Sequence, residues 1–390
     1  MDYCTDFGFL ISIMARVLHI ISGLEIGGAE TALYRLIDAS RESSYRHSVA
    51  CLSAAGPISE RLAKSNIPTH HFRLKQSPIL ETMRLCVLII RSRPEVVQTW
   101  MYHADFIGGV IARICSGAKV VWGVRTTGLV AGSSRGTKVV RSFCAAFSRL
   151  IPHAITCAAD ASRRSHISIG YKASLFHVIP NGFDLNGFFI SSAQREVIRL
   201  QFGFSEGHRV VGCLGRFHPA KDHHNFVQAA RLVAVKHANV RFLMIGRGLD
   251  SHNAELAGWL AQTGVADRFL LLGERSDVSL CLAAMDLFCL PSRTEGFPNV
   301  VGEAMAMGLP CVVTDVGDAS FLLGDGGAVV PKEDSQALAS GLLRILEMPY
   351  QERVDLGAKG KARVRAEFSM ERTRERFEAV YRHVLAKERS

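Results

Sequence analysis

No apolar run in this 390-residue chain approaches the ~20 residues that span a bilayer as a helix. The longest near the start, Phe9-Leu10-Ile11-Ser12-Ile13-Met14, follows Asp2 and Asp6 and lacks a basic flank and a small-residue cleavage site, so it does not read as a signal peptide. Met14-Ala15-Arg16-Val17 is the expected start of the fold, with residues 1–13 a dispensable extension. The ten cysteines form no Cys-x-x-Cys pair and have no histidines at metal spacing, which argues against a zinc module and leaves buried, reduced thiols as the expectation. There is no Gly-x-Gly-x-x-Gly fingerprint, no Walker lysine and no Asp-x-Asp pair to clamp a divalent metal. Short repeats and low-complexity tracts are absent. Acid is missing from one long segment: between Phe106 and Ala159 there is no Asp or Glu, while Arg113, Lys119, Arg125, Arg135, Lys138, Arg141 and Arg149 are all present. That segment reads either as a face for anionic lipid or a phosphorylated acceptor, or as a solvated basic surface. Aromatic residues are not interleaved with these charges, which argues against nucleic acid.

What is present describes a globular protein of more than one core. Hydrophobic residues make up 48% and charged residues 21%, a composition outside the disordered class, and the length calls for two domains. Strand-like runs alternate with amphipathic helical stretches. The first half gives strands at 17–22, 47–53, 95–100, 119–125, 153–158 and 176–180, with helices at 29–38, 79–91 and 138–150 between them. Pro180-Asn181-Gly182 punctuates the chain and 191–203 reads as a linker helix. The alternation restarts at 209–216, with further strands at 241–245, 269–272, 287–291 and 310–316. Such alternation predicts an α/β protein of two doubly wound, Rossmann-like domains with parallel sheets. The expected boundaries are 14–184 for a first domain, 185–368 for a second, and 369–390 for a C-terminal helix packing back on the first domain. Ligands in such sheets bind beyond the carboxyl ends of the strands.

Five candidates stand at such ends. Glu295-Gly296-Phe297-Pro298-Asn299-Val300-Val301-Gly302-Glu303 follows the strand at 287–291. It places Glu295 on a loop and Glu303 in the first turns of a short helix, with Pro298 at the first turn. Free N–H groups at the helix start suit an anion and the carboxylates suit hydroxyls, a combination that fits a nucleotide sugar. Gly215-Arg216-Phe217-His218-Pro219-Ala220-Lys221-Asp222 follows the strand at 209–216, and its two cations suit a diphosphate. Gly27-Gly28 opens a helix after the first strand, where the backbone can approach a ligand. Alone, a tight strand-to-helix turn is the favoured account of that pair. His103, after the strand at 95–100, can bond a sugar hydroxyl or a phosphate. Arg125, after the strand at 119–125, is a candidate for acceptor or phosphate, or a structural residue. Most of the other histidines, including His70, His71, His223 and His224, read as uninvolved.

Together these residues resemble glycosyltransferase family 4, the retaining GT-B sugar transferases, over nearly the whole chain. The Glu-x7-Glu element with its upstream Arg/Lys pair is the specific part; Gly27-Gly28, His103 and Pro180-Asn181-Gly182-Phe183-Asp184 add to it. The resemblance implies a fold of two facing domains across a deep cleft. It implies that Arg216 and Lys221 hold the donor diphosphate, that Glu303 takes the ribose hydroxyls, and that Glu295 with Gly296 and Phe297 binds the transferred sugar. Gly27 and Gly28 would contact the phosphate, His103 would face the reacting carbon, and Leu272-Gly273-Glu274-Arg275 would border the base. Two departures occur: Asp222 stands where a glycine often follows the lysine, and Phe297-Pro298-Asn299 replaces a commoner Phe-Gly-Leu.

The implied function is a metal-independent, retaining hexosyl transfer from a UDP- or GDP-sugar, with no cofactor, to a lipid-linked or polysaccharide acceptor in cell-surface polysaccharide biosynthesis. The implied location is the cytoplasm, peripheral on the membrane face. Competing readings are a nucleotide-sugar epimerase or hydrolase on the same scaffold, and a non-catalytic sugar-nucleotide-binding scaffold of a synthase complex.

Overall fold

The computed structural model describes residues 14–128 and 134–386, so the apolar run before Met14 and the proposed extension lie outside the described residues. The chain divides into two compact units. Unit 1 takes the chain through Cys157, then His166–His177 and the chain from Arg374 onward; unit 2 takes Ala158–Ser165 and Val178–Thr373.

Unit 1 is built on a seven-stranded sheet of β1 (Ala15–Ile21), β2 (Tyr45–Cys51), β3 (Thr69–His71), β4 (Val96–Trp100), β5 (Lys119–Val124), β6 (Ala154–Cys157) and β7 (Phe176–Val178), in the order β3-β2-β1-β4-β5-β6-β7. The pairings from β1 to β6 are parallel. Its helices are α1 (Gly28–Ala39), α2 (Pro57–Lys64), α3 (Pro78–Ser92), α4 (Tyr102–Cys115), α5 (Arg135–Phe147) and the C-terminal part of α6 (Asp160–Ser168). Every residue of β4 and β5 is buried, as expected of central parallel strands covered on both faces.

Unit 2 has a six-stranded parallel sheet of β8 (Arg209–Leu214), β9 (Val240–Ile245), β10 (Phe269–Leu271), β11 (Leu287–Leu290), β12 (Cys311–Thr314) and β13 (Gly327–Val330), in the order β10-β9-β8-β11-β12-β13. Around it lie α7 (Ser192–Gln201), α8 (His223–Lys236), α9 (Ala254–Ala261), α10 (Val278–Ala283), α11 (Asn299–Ala306), α12 (Ala319–Leu323), α13 (Ser335–Leu346) and α14 (Tyr350–Glu367). One core holds Val210, Phe288 and Met305 and another holds Val211, Phe242 and Leu342, so alternate residues of each strand feed opposite faces. The last helix, α15 (Met370–Ala386), carries the chain back into unit 1, where Phe377 packs on Trp100 and Tyr381 on Tyr45.

The expected doubly wound α/β architecture is present in both units. Four expectations change. The short edge strands β3 and β13 were not anticipated. The helix at 191–203 is no linker: α7 is part of unit 2, where Arg195 and Arg199 clamp Asp286 at 2.7 and 3.1 Å and Arg199 also donates to the carbonyls of Ala284 and His208. The cysteines are not all free: Cys86 on α3 and Cys115 on α4 form a disulfide, because these helices lie side by side and bring together positions 29 apart. In a reducing compartment the same packing leaves two facing thiols. Finally, the acid-free segment is not a single basic face. Lys119 is buried in β5 and Arg125 is half-buried beyond it, while Arg113, Arg135, Lys138 and Arg149 are exposed. No helix among the described residues is long and apolar enough to cross a membrane.

Candidate active site

In unit 2 the strand order reverses between β8 and β11, so the loops leaving these neighbours part to opposite sides and open a crevice at the sheet's carboxyl end. The two motifs with the most chemistry flank that point. After β8, the exposed Arg216 has its carbonyl held by His223 Nε2 at 3.2 Å. His223, read as uninvolved, is buried, and burial pushes its pKa down to about 4, so the neutral ring keeps this proton for the carbonyl. A single turn at Pro219–Lys221 then delivers Lys221, whose Nζ lies 2.6 Å from Glu295 Oε1. Ser292 Oγ donates to the same oxygen at 2.7 Å. Lys221 and Glu295, expected as partners on one ligand, are therefore brought together, with side chains 25% and 10% exposed. The ammonium retains further donors for a ligand.

Asp222 shows why a glycine suits the position after the lysine. It sits at φ +46° and ψ +50°, the left-handed region that costs other residues strain. An aspartate is tolerated because its carboxylate caps α8 through the Asn225 N–H at 3.4 Å and lies 2.9 Å from Arg293 Nε, which also reaches Glu333. The sequence reading missed Arg293, since its partner is far away in the chain.

The loop after β11 is held from below. Gly317, at φ +57°, passes so close that an added Cβ would lie 2.4 Å from the Glu295 carbonyl oxygen and 2.5 Å from that of Gly296. The Asp318 N–H donates to the Gly296 carbonyl at 2.9 Å. Phe297 is buried against Phe183 and Phe368, so its side chain anchors the loop and only its backbone is offered to a ligand. Pro298 is the N-cap of α11, one residue before the expected first turn, and Glu303 lies half-buried on that helix. Gly302 lets α11 descend onto the Phe183 ring, where a Cβ would come within 2.0 Å. On the other side of β8, the loops after β8, β9 and β10 are stitched together. Gly246, at φ +145°, crosses the Gly215-Arg216 backbone, and its N–H donates to the Gly273 carbonyl. Arg275 is exposed and forms a two-point pair with Asp277 at 2.8 and 2.6 Å, while the Leu272 and Gly273 N–H groups donate to the Met244 and Leu249 carbonyls.

Unit 1 repeats the topology: its strand order reverses between β1 and β4, and the Gly27-Gly28 turn and His103 follow those two strands. Gly27 is the extended N-cap of α1. A Cβ on Gly28 would meet nothing within 4 Å and one on Gly27 would meet only the flexible Glu30 side chain, so neither space nor backbone angle within the protein demands the glycines. A ligand approaching the α1 N-terminus would. Gly28→Ala is expected to leave thermal stability unchanged or slightly raised, by up to about 1 kcal/mol of helix propensity, while lowering transfer; a variant as active as wild type would remove the turn from the site.

His103 is half-buried in the first turn of α4, and desolvation, aided by nearby Lys75, holds its pKa below the ordinary histidine range. A neutral ring can donate from one nitrogen and accept at the other. The turn presenting it is strained: Met101, the residue before α4, has φ +73° and ψ +156°. Such a conformation costs about 1–3 kcal/mol and persists only where the surroundings fix it. Here the Met101 N–H donates to the Gly123 carbonyl at 2.9 Å, and buried Asp105 accepts from Thr99 Oγ1 at 2.6 Å and the Gly123 N–H at 3.2 Å. Burial pushes the Asp105 carboxyl up to about 7. Its folded pKa therefore exceeds the unfolded value of ~3.9. Between these values the folded state keeps a proton that the unfolded chain has lost, so stability falls as pH rises through the window. Asp105→Asn is expected to flatten this slope: from pH 5 to pH 8 wild type should lose more stability in urea unfolding than the variant, and equal losses would contradict the assignment.

Arg125 is not placed like the others. Its guanidinium lies 4.6 Å over the Trp100 ring and 5.5 Å from that of Phe377, a packing position within unit 1, and burial lowers its pKa to about 10, which still leaves it protonated. Gly132-Ser133-Ser134-Arg135-Gly136 has the spacing of a nucleophile elbow, which requires a strand running directly into the serine turn. β5 ends at Val124, and Ser134 is the N-cap of α5, accepting from the Thr137 N–H at 3.1 Å.

Comparison with known proteins agrees across both units. The family model described as Glycosyltransferase Family 4 matches residues 26–186, and that described as Glycosyl transferases group 1 matches residues 208–348. The chain is 26% identical over 314 residues to a putative glycosyltransferase, EpsF, of Bacillus subtilis, covering 77% of this chain and 79% of that one. It is 25% identical to the capsular polysaccharide biosynthesis glycosyltransferase CapM of Staphylococcus aureus, covering 79% and 82%. It is 24% identical to an Escherichia coli UDP-Gal:alpha-D-GlcNAc-diphosphoundecaprenol alpha-1,3-galactosyltransferase, covering 67% and 68%. Among solved structures, Anabaena Alr3699/HepE in complex with UDP and glucose superposes with a TM-score of 0.79 at 22% identity, over 95% of this chain and all of that one, which speaks for the fold.

Proposed function

Since the chain belongs to the family-4, group 1 glycosyltransferases, with the GT-B fold, we propose that it transfers a hexosyl group from a UDP- or GDP-sugar to a lipid-linked or polysaccharide acceptor, with retention at the anomeric carbon and without a metal. The observation that carries this reading is the Lys221–Glu295 pair at the β8/β11 reversal, flanked by Arg216 and Glu303. A cation and a carboxylate side by side at the carboxyl end of a sheet suit a diphosphate joined to a polyhydroxyl group. Relatives named for capsular polysaccharide synthesis and for galactosyl transfer to a diphosphoundecaprenol-linked sugar support the acceptor class. The alternative of a UDP donor is supported by a structural neighbour solved with UDP.

In this reading Arg216 and Lys221 neutralise the departing diphosphate, Glu303 takes the ribose hydroxyls, and Glu295 with the Gly296-Phe297 backbone fixes the transferred sugar. Gly27 and Gly28 would contact the phosphate and His103 would face the reacting carbon, the roles that the family resemblance gives them. The bond from the anomeric carbon to the diphosphate oxygen breaks as the acceptor oxygen bonds to that carbon from the same face, and the acceptor proton passes to the departing phosphate oxygen. The enzyme contributes positioning and preorganised charge. The protein works in the cytoplasm, at the inner membrane face where a lipid-linked acceptor is presented.

The test is a purified-protein assay with a panel of nucleotide sugars in EDTA and an extract of lipid-linked glycans, with the product anomer read by NMR. Transfer in EDTA with the donor's anomeric configuration retained is expected. Donor consumption at full rate without acceptor would favour the epimerase or hydrolase reading, binding without turnover the scaffold reading, and an inverted product would contradict retention.

A further inference from the structure

Three neighbouring helices of unit 1 share an outward face that no other described element covers. α3 packs on α4, and α4 packs on α5 through Phe106 against Phe143 and Phe147. α3 buries Glu81, Leu85 and Ile89 on the sheet side. Its opposite side should be polar if it met only water. Instead Ile79, Leu80, Met83, Val87 and Ile90 are 79%, 58%, 62%, 45% and 53% exposed. At 3.6 residues per turn these five project within an arc of about 100°. α5 repeats the pattern with Val139, Phe143, Phe147 and, just past its end, Leu150, and Ile114 at the end of α4 is 78% exposed. Contiguous apolar exposure on this scale marks an interaction surface.

The charges around it are of one sign. Arg91 borders the α3 stripe together with Arg84, which is paired with Glu81 at 2.8 Å, and Arg135, Lys138 and Arg149 border that of α5. The carboxylates on these helices, Glu81 and Asp105, are both buried, so none faces outward. Beside α3 a surface pocket of ≈ 540 Å³ is lined by His70, His71, Arg84, Arg91, Met83 and Val87, putting cationic and apolar groups on the same walls. An apolar stripe edged by arginines and lysines, with no outward acid, is the pattern of a helix lying in the headgroup region of an anionic membrane.

We propose that the outward face of α3, α4 and α5 seats unit 1 on an anionic bilayer, with the α3 and α5 stripes in the headgroup–acyl boundary and the flanking Arg and Lys on lipid phosphates. This deepens the membrane setting of the proposed function by naming the surface that makes it. The acid-free segment at 106–159 supplies only part of that surface; α3, outside it, supplies the longest stripe.

Co-sedimentation of the full chain with phosphatidylglycerol-containing vesicles and with pure phosphatidylcholine vesicles tests this. Binding is expected to the anionic vesicles and to weaken with salt. The double variant Met83→Glu/Ile90→Glu should lower it by about tenfold or more, given the apolar area withheld from the bilayer. Arg91→Gln and Arg149→Gln should each lower it by about fivefold. All these positions are exposed, so donor-induced thermal stabilisation should persist in each variant and reports that the fold is intact. Equal binding to both vesicle types, or unchanged binding by the variants, would overturn the proposal. So would a wild-type dimer that Met83→Glu/Ile90→Glu converts to monomer without vesicle binding by either, since the face would then join two copies. Vesicle binding can fail while donor transfer survives, and the reverse, so the surface and the sugar-transfer reading fall separately.

Discussion

Lys221→Ala is expected to lower kcat by about 10²–10³-fold, the usual cost of removing one preorganised group that stabilises developing charge. Its Nζ stands 2.6 Å from Glu295 Oε1. Removing it withdraws positive charge from the leaving diphosphate and takes the ammonium away from a largely buried carboxylate, to which Ser292 Oγ still donates at 2.7 Å. If the lysine acts on the transition state, kcat and kcat/KM fall together; if it only binds donor, KM rises and kcat stays. Lys221→Arg should not restore the rate, because a planar fork cannot take the place of a point charge carried on a stem that lies over Gly215. Steady-state kinetics on the three proteins checks this, and an alanine variant within a few-fold of wild type would remove Lys221 from the chemistry.

Gly317→Ala carries the second large effect, by a different route. The residue touches no ligand in the proposed mechanism, yet its Cα supports the donor loop. An alanine there must hold φ +57° with a methyl 2.4 Å from the Glu295 carbonyl oxygen and 2.5 Å from that of Gly296. Strain and overpacking together should destabilise unit 2 by about 1–3 kcal/mol. The loop must also shift, so KM for the donor should rise by an order of magnitude, about 1.4 kcal/mol. Gly203→Ala is the control: φ +75° imposes similar strain, but a Cβ there meets nothing within 4 Å and lies away from the site. It should lower stability without changing KM. Equal kinetic effects of the two substitutions would show that the Gly317 contact does not position the loop.

The candidate site in unit 2 was legible as a cluster because its residues are local. Glu295 to Glu303 is one loop and one helix start, and Arg216 to Lys221 is one strand end and one turn, so spacing alone carried their relation. What tied them together was not legible. Gly317 and Asp318 support the loop from the next strand's end, and Arg293 holds Asp222 across the crevice. The left-handed backbone at Asp222 and the strained one at Met101 run against residue preference, and only tertiary bonds hold them. Asp105 stood beside His103 in the sequence without a role, since its partner Gly123 belongs to β5, eighteen residues on. β3 and β13 escaped because three or four residues give no measurable alternation. The apolar stripe on α3 escaped for the opposite reason. Its pattern is strong, but periodicity counts apolar positions as core and cannot separate the side against the sheet from the side facing outward.

The most direct measurement is calorimetric titration of UDP- and GDP-sugars, in EDTA, into wild type, Lys221→Ala and Glu303→Ala. Metal-free binding of one donor by wild type is predicted, with affinity lowered at least about tenfold in each variant, or about 1.4 kcal/mol. Donor binding by wild type that requires a divalent metal, or equal affinities in all three proteins, would contradict a cationic, metal-free donor site at the β8/β11 reversal.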